Sequence, residues 1–270
     1  MDKEIKNFGL IAGGGAFPSL AAEQLIKRGC NLKIAAVKGQ ADEEIGSRFQ
    51  SVLWVNLGQL KKTLRFFRDG NIKKVIFAGR IKHADIFSIK PDFTAAKLLA
   101  GLKDKKAATV LKAVCDLFEK EGIGIMPSIE PVKNMLFREN NYTKTKPDKK
   151  TLRDISFARG IVREISNMDI GQAVIVKDGI VVAVEAMEGT DKCILRAGKL
   201  AGEGTVCVKV ARDNLDTRFD VPVIGIRTVR NLAAVRARAI ACQKGRTLFF
   251  DREESIKLAD ENKISITGIE

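Results

Sequence analysis

The chain has 270 residues, 45% hydrophobic and 30% charged, which is a globular composition with room for two separately cored domains. Lys and Arg outnumber Asp and Glu by 47 to 33, and the formal charge of +14 favours anionic partners: phosphate-bearing substrates, anionic membrane or nucleic acid. A single histidine, His83, excludes metal sites built from several imidazoles, and five scattered cysteines with no CxxC spacing argue against a disulfide framework or a structural zinc site.

In chain order, the sequence predicts a strand over Asn7–Ala12, then Gly13-Gly14-Gly15, then a helix over Pro18–Arg28 with its proline in the first turn. Strands follow at Leu32–Val37, Val52–Val55 and Lys74–Ala78, with a helix at Gln59–Arg68 between the last two. Helical patterns cover Asp92–Leu102 and Ala107–Glu121, and Gly124–Pro127 reads as a strand. This alternation predicts a parallel sheet covered on both faces. The segment 140–150 (NNYTKTKPDKK) is polar, basic and almost free of aliphatic residues, so it reads as a linker.

The pattern then restarts. A helix is expected over Leu152–Ile165, a hairpin of Ala173–Val176 and Ile180–Ala186 around Lys177-Asp178-Gly179, a short helix over Asp191–Leu200 and a strand over Thr205–Ala211. Further on, Thr228–Gln243 reads as a helix rich in Ala and Arg, Thr247–Phe250 as a strand, Arg252–Glu261 as a helix and Ile264–Thr267 as a closing strand. The expected division is an N-terminal domain over 1–139, the linker at 140–150 and a C-terminal α/β domain over 151–270.

The glycines at 13–15 lie at a strand-to-helix turn, where backbone N–H groups can meet a phosphate. They do not make a dinucleotide fingerprint: Pro18 stands where Gly or Ala is wanted, and no acidic residue ends the second strand. No GK[ST] follows, so the turn is not a P-loop either. Gly79-Arg80, followed by Lys82 and His83, ends another strand at the edge where open α/β sheets bind ligands. In the second half, the buried-strand run VVAVEAMEGTD ends in Glu185, Glu188 and Asp191. The stretch KVARDNLDTRFDVPVIGIRT gathers Asp213, Asp216 and Asp220 with Arg212 and Arg218. Carboxylates this dense repel one another unless a cation or an arginine stands between them, a mixture that suits a divalent metal beside a phosphate. Ordinary surface ion pairs are the plainer alternative.

Taken together, LIAGGGAFP (Leu10–Pro18), AGR (Ala78–Arg80), AVEAMEGTD (Ala183–Asp191) and RFDVPVIGIRT (Arg218–Thr228) resemble, in order along nearly the whole chain, the LpxI-type UDP-2,3-diacylglucosamine pyrophosphatases of lipid A biosynthesis. The resemblance implies an N-terminal Rossmann-like parallel-sheet domain, a C-terminal α/β domain peculiar to the family, and hydrolysis to 2,3-diacylglucosamine 1-phosphate (lipid X) and UMP. It implies Mg2+, or another divalent ion such as Mn2+. Carried over, Asp220, Asp216 and Arg218 are the catalytic candidates, and Asp220, Asp216, Glu188 and Asp191 the metal candidates. Substrate contacts are expected from Gly13, Gly14, Gly15, Phe17, Gly79, Arg80 and Lys82 in the first half, and from Gly189, Thr190 and Thr228 in the second. The chain keeps Asp216 and Arg218 but lacks the Pro and the Gln that usually precede them in the family.

The expected partners are the UDP-diacylglucosamine lipid and the cytosolic face of an anionic inner membrane, held peripherally by a cytoplasmic protein. No apolar run reaches the length of a membrane span, and the N-terminus has no signal-peptide architecture. No nucleic acid is expected, and a homo-oligomer is compatible with this reading. Two alternatives come from other classes: a nucleotide-dependent oxidoreductase using the Gly13–Gly15 turn, and a non-enzymatic nucleic-acid or anion-binding protein.

Overall fold

The structure is a computed structural model, and it describes residues 7–81, 91–104 and 106–270. The chain divides into two compact units. The first comprises the residues up to Val132 together with Thr217–Phe219, and the second comprises Lys133–Asp216 and Asp220–Glu270.

The first unit is a five-stranded parallel sheet of β1 (Asn7–Ala12), β2 (Asn31–Val37), β3 (Val52–Val55), β4 (Lys74–Ala78) and β5 (Gly124–Met126). The strand order is 3-2-1-4-5, and β1 pairs in parallel with both β2 and β4. The order therefore reverses between β1 and β4, the place in a doubly wound sheet where loops diverge and leave a crevice. Helices α1 (Phe17–Lys27), α2 (Ile45–Arg48), α3 (Leu60–Asp69), α4 (Phe93–Ala100) and α5 (Ala107–Lys120) connect the strands. One core of this unit gathers Ala35, Val37, Val55, Val75 and Phe77 of the strands with Leu64 and Phe67 of α3 and Cys115 and Phe118 of α5. Phe67 and Phe77 both meet Phe118 edge-on, with ring centroids 6.3 and 6.1 Å away. Such contacts stabilise beyond simple burial.

The second unit is a mixed sheet in the order β12-β10-β8-β6-β7, formed by β6 (Ala173–Lys177), β7 (Ile180–Val184), β8 (Val206–Lys209), β10 (Ala239–Gln243) and β12 (Ser265–Ile269). β8, β10 and β12 are parallel, whereas β6 runs antiparallel to both β8 and β7. A small parallel pair, β9 (Val223–Ile224) and β11 (Leu248–Phe249), lies apart from it. Successive residues of β6 serve opposite faces, as the strand period of two requires. Val174 and Val176 pack with Ile155, Ala158 and Val162 of α6 (Lys149–Asn167). Ala173 and Ile175 join the core made by α7 (Thr190–Ala201), α8 (Ile226–Ala234) and α9 (Arg252–Glu261).

Two expectations give way here. The helix predicted over Thr228–Gln243 stops at Ala234, Arg236 turns left-handed at φ 48°, and Ala239–Gln243 is the strand β10. β10 lies between β8 and β12 with Ala239 to Cys242 fully buried, so both of its faces are apolar and the alternation that marks a strand is missing. The stretch 140–150, read as a linker, packs on the second unit. The Tyr142 ring lies edge-on to Phe137 and Phe249, at 5.0 and 5.4 Å, and its hydroxyl accepts the Arg138 and Glu139 N–H groups. Tyr142 N–H donates to the Ile266 carbonyl, and Asp148 caps α6 by accepting Thr151 N–H at 2.7 Å. One aromatic ring and one cap turn a polar run into ordered edge structure.

Candidate functional site

In the first unit the glycine turn and Gly79-Arg80 come together. Gly13 N–H donates to the Ala78 carbonyl, Gly14 N–H donates to the Arg80 carbonyl, and Arg80 N–H returns to the Gly14 carbonyl. This bridge joins the carboxyl ends of β1 and β4 at the point where the strand order reverses. Its glycines are required by backbone approach. A Cβ on Gly13 would stand 2.8 Å from the Arg80 carbonyl oxygen, and one on Gly79 (φ +86°) 2.7 Å from that of Gly14. Gly14 also lies against Gln40 after β2, 3.0 Å from its carbonyl oxygen to a built Cβ. Gly15 (φ +91°) is exposed and open around that position, Phe17 begins α1 buried, and the Arg80 side chain is exposed. Lys82 and His83 lie outside the described residues.

Arg218 belongs with this unit. Its guanidinium meets Glu119 of α5 at 3.3 Å and Asp116 at 4.0 Å. The Ser128 hydroxyl bonds the Phe77 and Arg218 carbonyl oxygens, both at 2.6 Å, and Ser128 N–H donates to Thr217. Phe219 packs against the hydrophobic core. Thr217–Phe219 is thus fixed by both backbone and side-chain contacts.

In the second unit, the carboxyl ends of β7, β8 and β10 and the amino end of β6 share one sheet edge, a consequence of β6 running antiparallel to its neighbours. Asp220 lies there with its side chain about a quarter exposed (26%). Its Oδ2 pairs with Arg212 Nη2 at 2.9 Å and its Oδ1 accepts Gln172 Nε2 at 3.0 Å. Arg212 also meets Asp169 at 3.3 Å, so one guanidinium stands between two carboxylates. Burial pushes the Asp220 carboxyl above the usual range, although Arg212 and Gln172 pull the other way. A carboxyl raised by burial is suited to proton transfer.

Behind Asp220 lies a buried polar cluster that the sequence does not single out as a unit. Lys209, at the end of β8, is 4% exposed. Its Nζ donates to Thr190 Oγ1 at 2.8 Å and stands 3.6 Å from Glu185 Oε2, while Thr190 donates to Glu185 Oε1 at 2.9 Å. Gln172 N–H donates to Glu185 Oε2 at 3.3 Å, which links the cluster to the residue bonded to Asp220. The one sequence signal for Lys209 is a lysine ending the apolar strand VCVK, and nothing local marks Gln172.

The expected metal carboxylates are not gathered. Glu188 pairs with Arg196, which holds its carboxyl below the usual range. Asp191 is bound by Arg227 and by the Thr228 hydroxyl. Asp216 offers its backbone carbonyl to Asp220 N–H at 3.0 Å. Asp213 is held by Arg163 and Asn167, and that pairing lowers its carboxyl. Among the described residues no three His, Cys, Asp or Glu side chains form a group able to hold a metal ion. The donor set therefore does not fit a bound metal as placed. Of the second-half substrate candidates, Gly189 (φ +80°) caps α7, Thr190 belongs to the buried cluster, and Thr228 holds Asp191.

Residues 7–135 match the LpxI N-terminal domain and residues 138–267 the LpxI C-terminal domain. The chain is 31% identical over 277 residues to the UDP-2,3-diacylglucosamine pyrophosphatase LpxI of Caulobacter vibrioides, covering 98% of each. Among solved structures, the UDP-glucose 4-epimerase of Thermus thermophilus in complex with NAD is 18% identical with a TM-score of 0.30, covering 43% of this chain and 35% of that one, too distant to bear on fold or function. With both domain models matched and the full length aligned, the chain belongs to the LpxI family.

Proposed function

We propose that this protein hydrolyses the pyrophosphate of UDP-2,3-diacylglucosamine to 2,3-diacylglucosamine 1-phosphate and UMP. The observation that carries this reading is the end-to-end alignment with the Caulobacter vibrioides enzyme. The site geometry supports it. Hydrolysis needs an activated water and cations to take up charge developing on phosphoryl oxygens. Asp220, partly buried with a raised carboxyl, is the candidate to orient that water and take its proton, while Arg212 and Lys209 supply nearby positive charge. The glycine bridge of the first unit is the candidate phosphate-facing edge, with Gly15, Phe17 and Arg80 around it. Asp216 and Arg218 stay in the proposal as members of the same loop.

Magnesium or manganese belongs to the proposal through the resemblance alone, and no step is derived through it. A charge of +14 and a substrate bearing two acyl chains support a peripheral position at the cytosolic face of an anionic membrane. No described helix is long and apolar enough to cross a membrane.

The test is incubation with UDP-2,3-diacylglucosamine in oxygen-18 water, with and without added magnesium and with EDTA. UMP release with label in the lipid product is the expected result and places attack on the sugar-side phosphorus. Label in UMP alone reverses that regiochemistry. Intact substrate under every metal condition sinks the assignment. Full turnover in EDTA removes the metal from the proposal.

A further inference from the structure

The buried charges behind Asp220 need a reason to be there. Removing an ammonium and a carboxylate from water is expensive, and their mutual attraction rarely gives more stability than a well-packed apolar pair. Lys209 and Glu185 are nevertheless both buried, and Thr190 bonds each of them. What this arrangement fixes is Glu185 Oε2, and that oxygen accepts the backbone N–H of Gln172. The approach is close by construction. Glu185 N–H donates to the Ala173 carbonyl at 2.9 Å, and a Cβ on Gly171 would stand 2.0 Å from the Glu185 carbonyl oxygen. Only glycine lets the chain entering β6 pass at this distance. Gln172 also accepts Val210 N–H on its own carbonyl at 3.0 Å, which ties it to the end of β8. With its backbone held on both sides, Gln172 turns its amide to Asp220 Oδ1.

We infer that Gln172 is the positioning residue for the Asp220 carboxylate, and that the buried Lys209–Glu185 pair holds Gln172 in place. The inference rests on the reading of Asp220 as the group at the reacting water. Arg212 holds one carboxylate oxygen and Gln172 the other, so the two contacts together set the rotation about the bond that carries the carboxyl group. Which lone pair faces the water follows from that rotation. A misplacement of about 1 Å at a reacting group lowers rate by as much as roughly 10²-fold. The backbone bonds of Gln172 survive any side-chain substitution, so the amide contact can be removed by itself.

The experiment compares Gln172→Ala and Gln172→Met with wild type for release of UMP from UDP-2,3-diacylglucosamine. Met fills the same space and cannot donate, so it rescues a packing role and not a hydrogen-bonding one. Expected are losses in kcat of roughly 10- to 100-fold in both variants, with KM little changed and melting temperature near wild type. On an Asp220→Ala background Gln172→Met should cause no further loss, as for two groups acting through one contact. Wild-type kcat in Gln172→Met, a loss confined to KM, or an undiminished further loss on the Asp220→Ala background overturns the inference. Independently of turnover, the Gln172 side-chain amide resonances in the full-length protein should move on Asp220→Ala, and resonances that stay in place also overturn it. A wild-type protein that releases no UMP defeats the substrate reading, and the resonances then decide the contact alone.

Discussion

The two units present their candidate edges in opposite ways. At the first, the carboxyl ends of β1 and β4 are joined by main-chain hydrogen bonds, and the decisive feature is missing atoms: Gly13, Gly14 and Gly79 have no Cβ where carbonyl oxygens stand 2.7 to 3.0 Å from one. At the second, around the ends of β7, β8 and β10, the decisive feature is charged side chains held in partial or full burial: Lys209, Glu185, Arg212 and Asp220. Adding an atom should damage the first edge, and removing one should damage the second. Under the proposed function the contrast would also separate the roles. A main-chain edge offers a fixed surface to bind against, whereas the charged edge contains groups able to move a proton and offset charge.

The largest effect is expected at the second edge. Asp220→Ala should lower turnover by roughly 10²- to 10⁴-fold, the usual contribution of a positioned acid–base group, while the folded protein persists. Wild-type turnover in that variant would remove Asp220 from the reaction. Next in size is Lys209→Met. It leaves Glu185 buried without its cation, and breaking a buried pair in this way destabilises by about 3–5 kcal/mol. Adding Glu185→Gln removes the stranded charge and should recover much of that loss. Equilibrium denaturation of the three proteins tests this, and a single variant as stable as wild type would show that the pair is not held out of water.

At the first edge the same logic runs in reverse. Gly79→Ala combines a left-handed backbone with a Cβ 2.7 Å from the Gly14 carbonyl oxygen, and should destabilise by about 2–4 kcal/mol. Gly15→Ala shares the left-handed backbone (φ +91°) but meets nothing within 4 Å among the described residues, so only the conformational part applies, about 1–2 kcal/mol. Equal losses in the two variants would mean that the bridge between the turns contributes nothing of its own.

That difference also explains what can be read from the sequence. The first unit is nearly all local: each strand is a short apolar run, most described turns carry a glycine, and the expected strand bounds at Asn7–Ala12, Val52–Val55 and Lys74–Ala78 are the observed ones. The second unit depends on partners far along the chain. β10 reads as helix because Ala and Arg favour helix and its strand character comes from burial between β8 and β12. The carboxylates of the acidic loop are visible as a cluster, and so is Arg212, which pairs with Asp220, but their more distant partners are not. Asp220 is bound by Gln172, 48 residues away, and Asp213 by Arg163, 50 residues away. Arg218, which looks in sequence like a companion of Asp220, has Glu119 and Asp116 of α5 as ion-pair partners. No spacing rule reports such pairings.

The smallest expected effect bears on the energetic cost of the charged edge. Burial raises the Asp220 carboxyl, so the folded state binds its proton more tightly than the unfolded chain does. As pH rises from below the unfolded carboxylate value to above the folded one, the unfolded chain releases this proton first, and the stability contributed by the site falls. Asp220→Asn cannot ionise and is spared that loss. Its melting temperature should therefore rise slightly relative to wild type at pH 7 to 8, and the difference should shrink toward zero as pH is lowered through the carboxylate range. The same substitution should suppress turnover, because the amide cannot take a proton from water. Thermal melts across that range decide the matter. A difference that does not vary with pH, or one that grows on acidification, would show that Arg212 and Gln172 compensate the buried charge in full and that Asp220 is held ionised without penalty.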